Sequence, residues 1–281
     1  METKKRGITG STFKMVAIIT MLIDHIAAVV LTRMLIDRGL MDIMNDEAAV
    51  IAFLAENWAL YFGIIAMRLI GRLGFPIFCY LLVEGFHHTR NVWKYALRLG
   101  IFALISEIPF NLALNGSLSD WNHQNVFFTL TIGLLVLIGL KKTEDLAKKL
   151  LETKSRALVL SIQAVANILI IVAGYFLATV LMTDYAGMGV MTIVVMYLVR
   201  RVGKFADSRK NRVLAMGAGC LLLTVMSFIE ITSFFALIPA ALYNNERGWK
   251  MKYFFYAFYP VHLFLLWLIC FFCGTGSIAA V

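Results

Sequence analysis

Residues 8–32 read ITGSTFKMVAIITMLIDHIAAVVLT, an apolar run long enough to cross a bilayer, with an acid and an imidazole, Asp24 and His25, side by side in its middle. A charged group at the centre of a hydrocarbon layer costs roughly 2.5 kcal/mol or more, so such a pair is rarely kept without a purpose. This helix is therefore the one expected to carry the chemistry. Ala17, Thr20, Asp24 and Ala28 recur at three- and four-residue intervals, forming a small, polar stripe that turns toward other helices. His25 lies one position further round, so the two side chains do not face each other, yet both can line one cavity. Two readings follow. His25 is a general base within the membrane, taking a proton from an attacking amine or hydroxyl near neutral pH; or Asp24 and His25 only hydrogen-bond across helices.

The rest of the chain agrees with a membrane setting. Of 281 residues, 60% are hydrophobic and 15% charged, and the mean hydropathy is +0.80; a soluble domain is nearer about 25% charged. The expected fold is all-α, a single integral membrane domain over residues 1–281, built as a helix bundle around an intramembrane cavity. Lys and Arg outnumber Asp and Glu by 26 to 17, for a net charge of +9, and the excess sits in short loops. That pattern encodes topology instead of nucleic-acid binding. Cytoplasmic loops of this kind suit anionic lipid head groups or a phosphorylated cofactor arriving from the cytosol. Lys4, Lys5 and Arg6 before the first span read as the flank of an uncleaved signal-anchor with a cytoplasmic N-terminus. Cys79, Cys220, Cys270 and Cys273 all lie in apolar runs and read as packing residues.

Spans are expected at residues 11–33, 58–86, 97–114, 126–140, 157–182, 187–199 and 253–272, with 213–243 crossing twice as a hairpin, about nine crossings in all. The loop after the first span is expected on the external side, with a short interfacial helix near 48–55. The block 58–86 is too long for one straight helix and holds Gly71, Gly74 and Pro76, which predict a break. A broken helix at that depth lines a cavity, because its freed backbone groups need partners other than lipid. Residues 141–156 read as a charged, helical-looking linker returning to the inside.

Further groups bear on function. Arg68 and Arg72 lie just before the break. Lys94 and Arg98 stand one turn apart on a helix entering from the cytosol, a geometry suited to phosphates and equally to anchoring in lipid head groups. Glu84 and His87 have the Glu-x-x-His spacing of di-iron bundles, but a di-metal site needs two such motifs and the sequence holds one. No metal is expected, and an ion pair of Glu84 with Arg68 or Arg72 is the alternative. Ser106, Glu107, Pro109, Asn111, Gln124 and Asn125 bracket an external loop. Tyr259-Pro260-Val261-His262 places a second histidine in the last span, where a lone imidazole more often serves helix packing.

Several of these stretches resemble the TraX family of conjugal-transfer proteins: ITGSTFKMVAIITMLIDHI, RLIGRLGFPIFCYLLVEGFHHTRN followed by KYALRLGIFALISEIPFNLA, QNVFFTL, and FFYAFYPVHLFLLWLI. The resemblance implies an integral N-acetyltransferase of the inner membrane, since the family's known member acetylates the N-terminus of pilin. More distantly, Lys14, Ala17 and His25 are similar in register to the Arg-Gly-x-Ala and following histidine of the large transmembrane acyltransferase superfamily, with Lys in place of Arg. LLVEGFHHTRN followed by Lys94 and Arg98 is similar to that superfamily's Ser-Gly-Phe-Leu segment and basic helix, with Glu84 where the serine would stand.

Together these readings lead to a membrane acyltransferase using cytosolic acetyl-CoA. Lys94, Arg98, Arg72, Arg68 and Lys14 hold the acyl donor, and His25 acts as base tuned by Asp24 or Glu84. Gln124, Asn125, Glu107 and His262 are the acceptor-side candidates, the acceptor being a pilin-like protein or a glycan. The competing classes are a transporter using the same intramembrane charges and a non-enzymatic accessory of an envelope assembly.

Overall fold

The computed structural model describes residues 7–201, 208–250 and 252–274. The basic triplet 4–6, part of the basic loop at 200–212 and the tail beyond 274 lie outside the described residues. Thr9 opens the first helix, α1 (Gly10–His25), with extended backbone and a hydroxyl that accepts the Thr12 amide; this N-cap gives one orphan donor a partner. After His25 the helix widens into a π-helical turn, Ile26–Leu31, and tightens again in α2 (Thr32–Asp37). A turn at Gly39 leads to α3 (Glu47–Glu56), capped by Asp46.

The 58–86 block is broken where glycine and proline place the break, into α4 (Trp58–Gly71) and α5 (Gly74–His88). The helix expected from residue 97 begins earlier, as α6 (Val92–Leu114). Asn125 caps α7 (Val126–Leu150), which continues through the charged stretch expected to be a linker. Lys141 pairs with Glu144 and Asp145, and Lys148 with Glu144, at the three- and four-residue spacings that support a helix beyond the apolar section. Ser155 and Ser208 cap α8 (Arg156–Val180) and α10 (Arg209–Met226), with α9 (Ala186–Arg201) between them. At Ser227 the backbone is extended, φ −152° and ψ 126°. A 3-10 segment, Phe228–Ala236, then leads into α11 (Leu237–Leu242), and α12 (Lys252–Phe272) follows.

Six stretches among the described residues are long and apolar enough to cross a bilayer: Gly10–Asp37, Trp58–His88, Val92–Leu114, Val126–Leu150, Arg156–Val180 and Tyr253–Phe272. The chain is an all-α, multi-pass membrane protein. α9, α10 and the stretch Phe228–Leu242 fall short in length or hydropathy.

The helices form two compact units, one of Met1–Ile77, Ile105–Asp120 and Ile229–Val281, the other of Phe78–Leu104 and Trp121–Phe228. In the first, α1 packs on α4 and α12. Its N-terminal end is clasped by residues 242–249: Gly10 and Ser11 donate amides to the carbonyls of Glu246 and Arg247, and the Ser11 hydroxyl accepts from the Trp249 amide. At the other end Ala27, Leu35 and Ile64 form an apolar core with Leu31, Leu60 and Met67. Arg33, 1% exposed, donates through Nη2 to the carbonyls of Leu112 and Ala113, so a cation meets the C-terminal carbonyls of α6.

In the second unit α7, α8, α9 and α10 interlock through glycines. A Cβ on Gly133 would come within 2.3 Å of Ile193, one on Gly174 within 2.3 Å of Val136 and one on Gly219 within 2.1 Å of Met196, the close approach that small residues allow between membrane helices. α8 buries only Val159, Gly174 and Ala178. Its exposed Leu160, Val165, Ile168 and Leu169 present an apolar face fit for lipid.

Candidate functional site

In the first unit the structure brings together five of the candidates read from sequence, Asp24, His25, Arg68, Arg72 and His262, and adds Glu230. α4 ends at Gly71, where a Cβ would lie 2.3 Å from the Cβ and Oδ1 of Asp24. Only glycine lets α4 come this near α1. One turn earlier on α4, Arg68 donates through Nη1 to Asp24 Oδ2 at 2.7 Å. Arg72, in the break, donates through Nη1 to Glu230 Oε1 at 2.9 Å, and Glu230 is 2% exposed. The Thr232 hydroxyl donates to the Leu69 carbonyl at 2.9 Å, satisfying one of the acceptors left by the end of α4. Two acid–base pairs thus neutralise four charges at the broken helix, the condition under which buried charge is tolerated.

His25 takes no part in either pair. Its Nδ1 lies 2.7 Å from Nε2 of His262 on α12, and His262 Nδ1 lies 2.8 Å from the Phe258 carbonyl oxygen one turn back. The ring centres are 4.9 Å apart and the planes within 21°. The facing nitrogens are therefore much closer than the ring centres, and the rings meet edge to edge, in the plane of the lone pair. Tyr259 stands edge-on to His25 at 6.0 Å, and Phe258 stacks on His262 at 4.8 Å. His262 is 4% exposed, whereas the His25 ring is only half-buried. The π-helical turn begins at the residue after His25; such wide turns are frequent at functional sites. Lys14 lies about three helical turns before His25 on α1, its ammonium over the Phe255 ring at 5.3 Å.

The second unit holds the other candidates. Glu84 pairs with neither Arg68 nor Arg72: its Oε1 accepts from Arg200 Nε at 2.8 Å and from the Tyr80 hydroxyl at 3.1 Å, and His88 lies 3.5 Å from Oε2. Arg68 and Arg72 are turned to partners on α1 and the 228–236 segment, so the expected pairing is corrected by acids far away in sequence. His87 does not join Glu84 but stacks on Tyr197 at 5.7 Å. Among the described residues no three His, Cys, Asp or Glu side chains gather in a metal-holding group.

Lys94 is exposed, and Arg98 lies over the Tyr95 ring at 5.9 Å with its Nε buried and without a hydrogen-bond partner among the described residues. Neither pairs with a carboxylate there. Asn125 is fully buried; its Oδ1 accepts the Phe127 amide and its Nδ2 donates to the Ala103 carbonyl. The Gln124 backbone bridges to Met182 and Asp184. Glu107, in the first unit, accepts from Asn111 at 3.4 Å.

Sequence reasoning missed Arg200, Glu230 and the meeting of His25 with His262. Glu230 was visible as an acid inside an apolar block, and every such acid needs a cation. With several intramembrane arginines to choose from, spacing alone does not say which.

A probable fimbrial assembly protein, FimC of serogroup H1, from Dichelobacter nodosus is 28% identical to this chain, over 71% of the chain and 81% of the relative. No solved structure matches. The sequence profile of the TraX protein family matches residues 9–270, nearly the whole chain, and the chain belongs to that family.

Proposed function

We propose that this protein is a membrane acetyltransferase, moving an acetyl group from cytosolic acetyl-CoA to an envelope acceptor, a pilin-like protein N-terminus or a glycan, at the inner membrane with the N-terminus in the cytoplasm. The observation that carries the reading is the half-buried imidazole of His25, held inside a membrane helix and free of the two ion pairs beside it. Family membership and the fimbrial relative make a pilin-like acceptor the first candidate. Counting α9, α10 and the 228–242 stretch with the six long helices gives a proposed total of about nine crossings.

The acceptor nitrogen or hydroxyl attacks the thioester carbonyl carbon, and His25 takes the proton released from the nucleophile. The carbon–sulfur bond breaks, sulfur leaves and ends as the CoA thiol once the proton is returned. No covalent enzyme intermediate is needed, because the thioester is already activated. Asp24 holds Arg68 beside the base. Arg68 and Arg72 are matched by acids, whereas Lys94, Arg98 and Lys14 pair with no carboxylate among the described residues. Lys94 and Arg98, together in the second unit, fit the phosphates of CoA, and the buried Nε of Arg98, without a hydrogen-bond partner among the described residues, supports that reading.

The test is acetyl transfer from labelled acetyl-CoA by purified protein in nanodiscs, together with mass spectrometry of envelope proteins and glycans from cells with and without the gene. His25→Ala should insert normally and lose transfer by about 10²–10⁴-fold. Normal turnover by that variant removes His25 from the mechanism. The fimbrial assembly relative favours one second reading, a non-enzymatic accessory of pilus assembly; it requires His25→Ala to assemble pili as the wild type does.

A further inference from the structure

We propose that His262 is a positioning residue for His25, and that the two form a relay that leaves the lone pair on Nε2 of His25. The assignment comes from counting protons along one line of atoms. The Phe258 oxygen is a carbonyl, an acceptor only, so the nitrogen 2.8 Å from it, His262 Nδ1, carries a hydrogen. A neutral imidazole holds one hydrogen, which makes His262 Nε2 a bare acceptor. Nε2 lies 2.7 Å from His25 Nδ1, and a contact that short between two nitrogens needs a hydrogen between them, supplied by His25. His25 is then the Nδ1–H tautomer, and its basic lone pair lies on Nε2.

The geometry agrees with the count. The two rings are nearly coplanar and meet by their edges, as an N–H aimed at an in-plane lone pair requires. His262 is itself fixed: it is buried, stacked on Phe258, and bonded to a carbonyl of its own helix. Pro260, inside α12 between Phe258 and His262, carries no amide hydrogen. The alternative tautomer of His25 would set two bare lone pairs against each other at 2.7 Å, or make His262 donate from Nε2 and leave its Nδ1 facing a carbonyl without a hydrogen. His25 Nε2 makes no hydrogen bond among the described residues, and it is the nitrogen left for the acceptor's proton. His262 plays here the part that a buried group behind a catalytic imidazole plays in the hydrolase triads, holding ring and tautomer without touching substrate.

The inference rests on the acetyltransferase reading for its kinetic consequences but not for its tautomer, and the experiment separates the two. The full chain, labelled with ¹⁵N-histidine in nanodiscs, is examined by NMR, with His25→Asn and His262→Gln assigning the two rings. The expected result is a protonated Nδ1 and bare Nε2 on both, with a coupling across the hydrogen bond from His25 Nδ1 to His262 Nε2. In the acetyl-transfer assay, His262→Leu should lower kcat by about 10²-fold or more with KM for acetyl-CoA unchanged, as loss of the tautomer-holding group does elsewhere. His262→Gln offers a carbonyl oxygen at similar reach and should recover to within about 10-fold of wild type. An Nε2–H tautomer on His25, or a His262→Leu variant that turns over normally, overturns the proposal. The expected tautomer and coupling in a protein that transfers no acetyl group supports the relay and overturns the acetyltransferase reading instead.

Discussion

Gly71 and Asp24 lie so near each other that a methyl on the glycine would occupy the place of the Asp24 side chain. The approach of α4 to α1, and with it the 2.7 Å contact of Arg68 with Asp24, depends on a missing Cβ. Gly71→Ala should therefore push the two helices apart. Overpacking of this kind costs about 1–3 kcal/mol, and the expected result is a lowered Tm in detergent together with loss of acetyl transfer. A variant as stable and as active as wild type would mean that the contact is not needed.

The Arg72–Glu230 pair is the more buried of the two at the broken helix, with the arginine 17% and the glutamate 2% exposed. Glu230→Gln leaves a guanidinium without its counter-ion, and breaking one side of a buried pair costs about 3–5 kcal/mol. Replacing both, as Arg72→Met with Glu230→Gln, should restore most of the loss. Arg68 is 33% exposed and Asp24 17%, so Asp24→Asn should cost less than Glu230→Gln. Thermal unfolding of the purified variants gives the order directly.

Arg200 and Glu84 couple α9 to α5 within the second unit, with Tyr80 on the same carboxylate oxygen. Arg200→Gln should destabilise more than the double variant Arg200→Gln with Glu84→Gln, because the double leaves no buried charge behind. A double-mutant cycle measures the difference, and strict additivity would deny the coupling.

Arg98 carries a buried Nε with no hydrogen-bond partner among the described residues. If it meets a CoA phosphate, Arg98→Gln should raise KM for acetyl-CoA by about 10-fold, the size of one hydrogen bond to a charged group, with kcat little changed. An unchanged KM would assign Arg98 to the lipid interface.

Much of this fold is visible in the sequence because lipid imposes length and hydropathy on a crossing helix, as in Gly10–Asp37, Val92–Leu114 and Arg156–Val180. The break after Gly71 is equally local, written by glycine and proline. The extension of α7 past Leu140 escapes hydropathy because charge pairs, not apolar residues, hold it helical. Pairings across long sequence separations escape altogether. Asp24, Glu84 and Glu230 each needed a cation, but Arg200 is 116 residues from Glu84 and Arg72 is 158 residues from Glu230. His262 likewise looked isolated because its neighbour in space lies 237 residues earlier.

The wide turn at Ile26–Leu31 sets the rotational phase of everything after His25. Its amide at Thr32 reaches back to the Ala27 carbonyl, which the Thr32 hydroxyl also meets, so the coil holds one residue more than a regular α-helix would over the same path. A one-residue deletion within it would leave a regular α-helix over the same path and keep Arg33 on the two carbonyls it closes at the end of α6, whereas the same deletion in the regular coil of α1 would turn Arg33 by about 100° about the helix axis relative to the residues before the cut. The stretch between the imidazole and the guanidinium is thus the one place in this span where a residue can be lost without turning the two ends against each other.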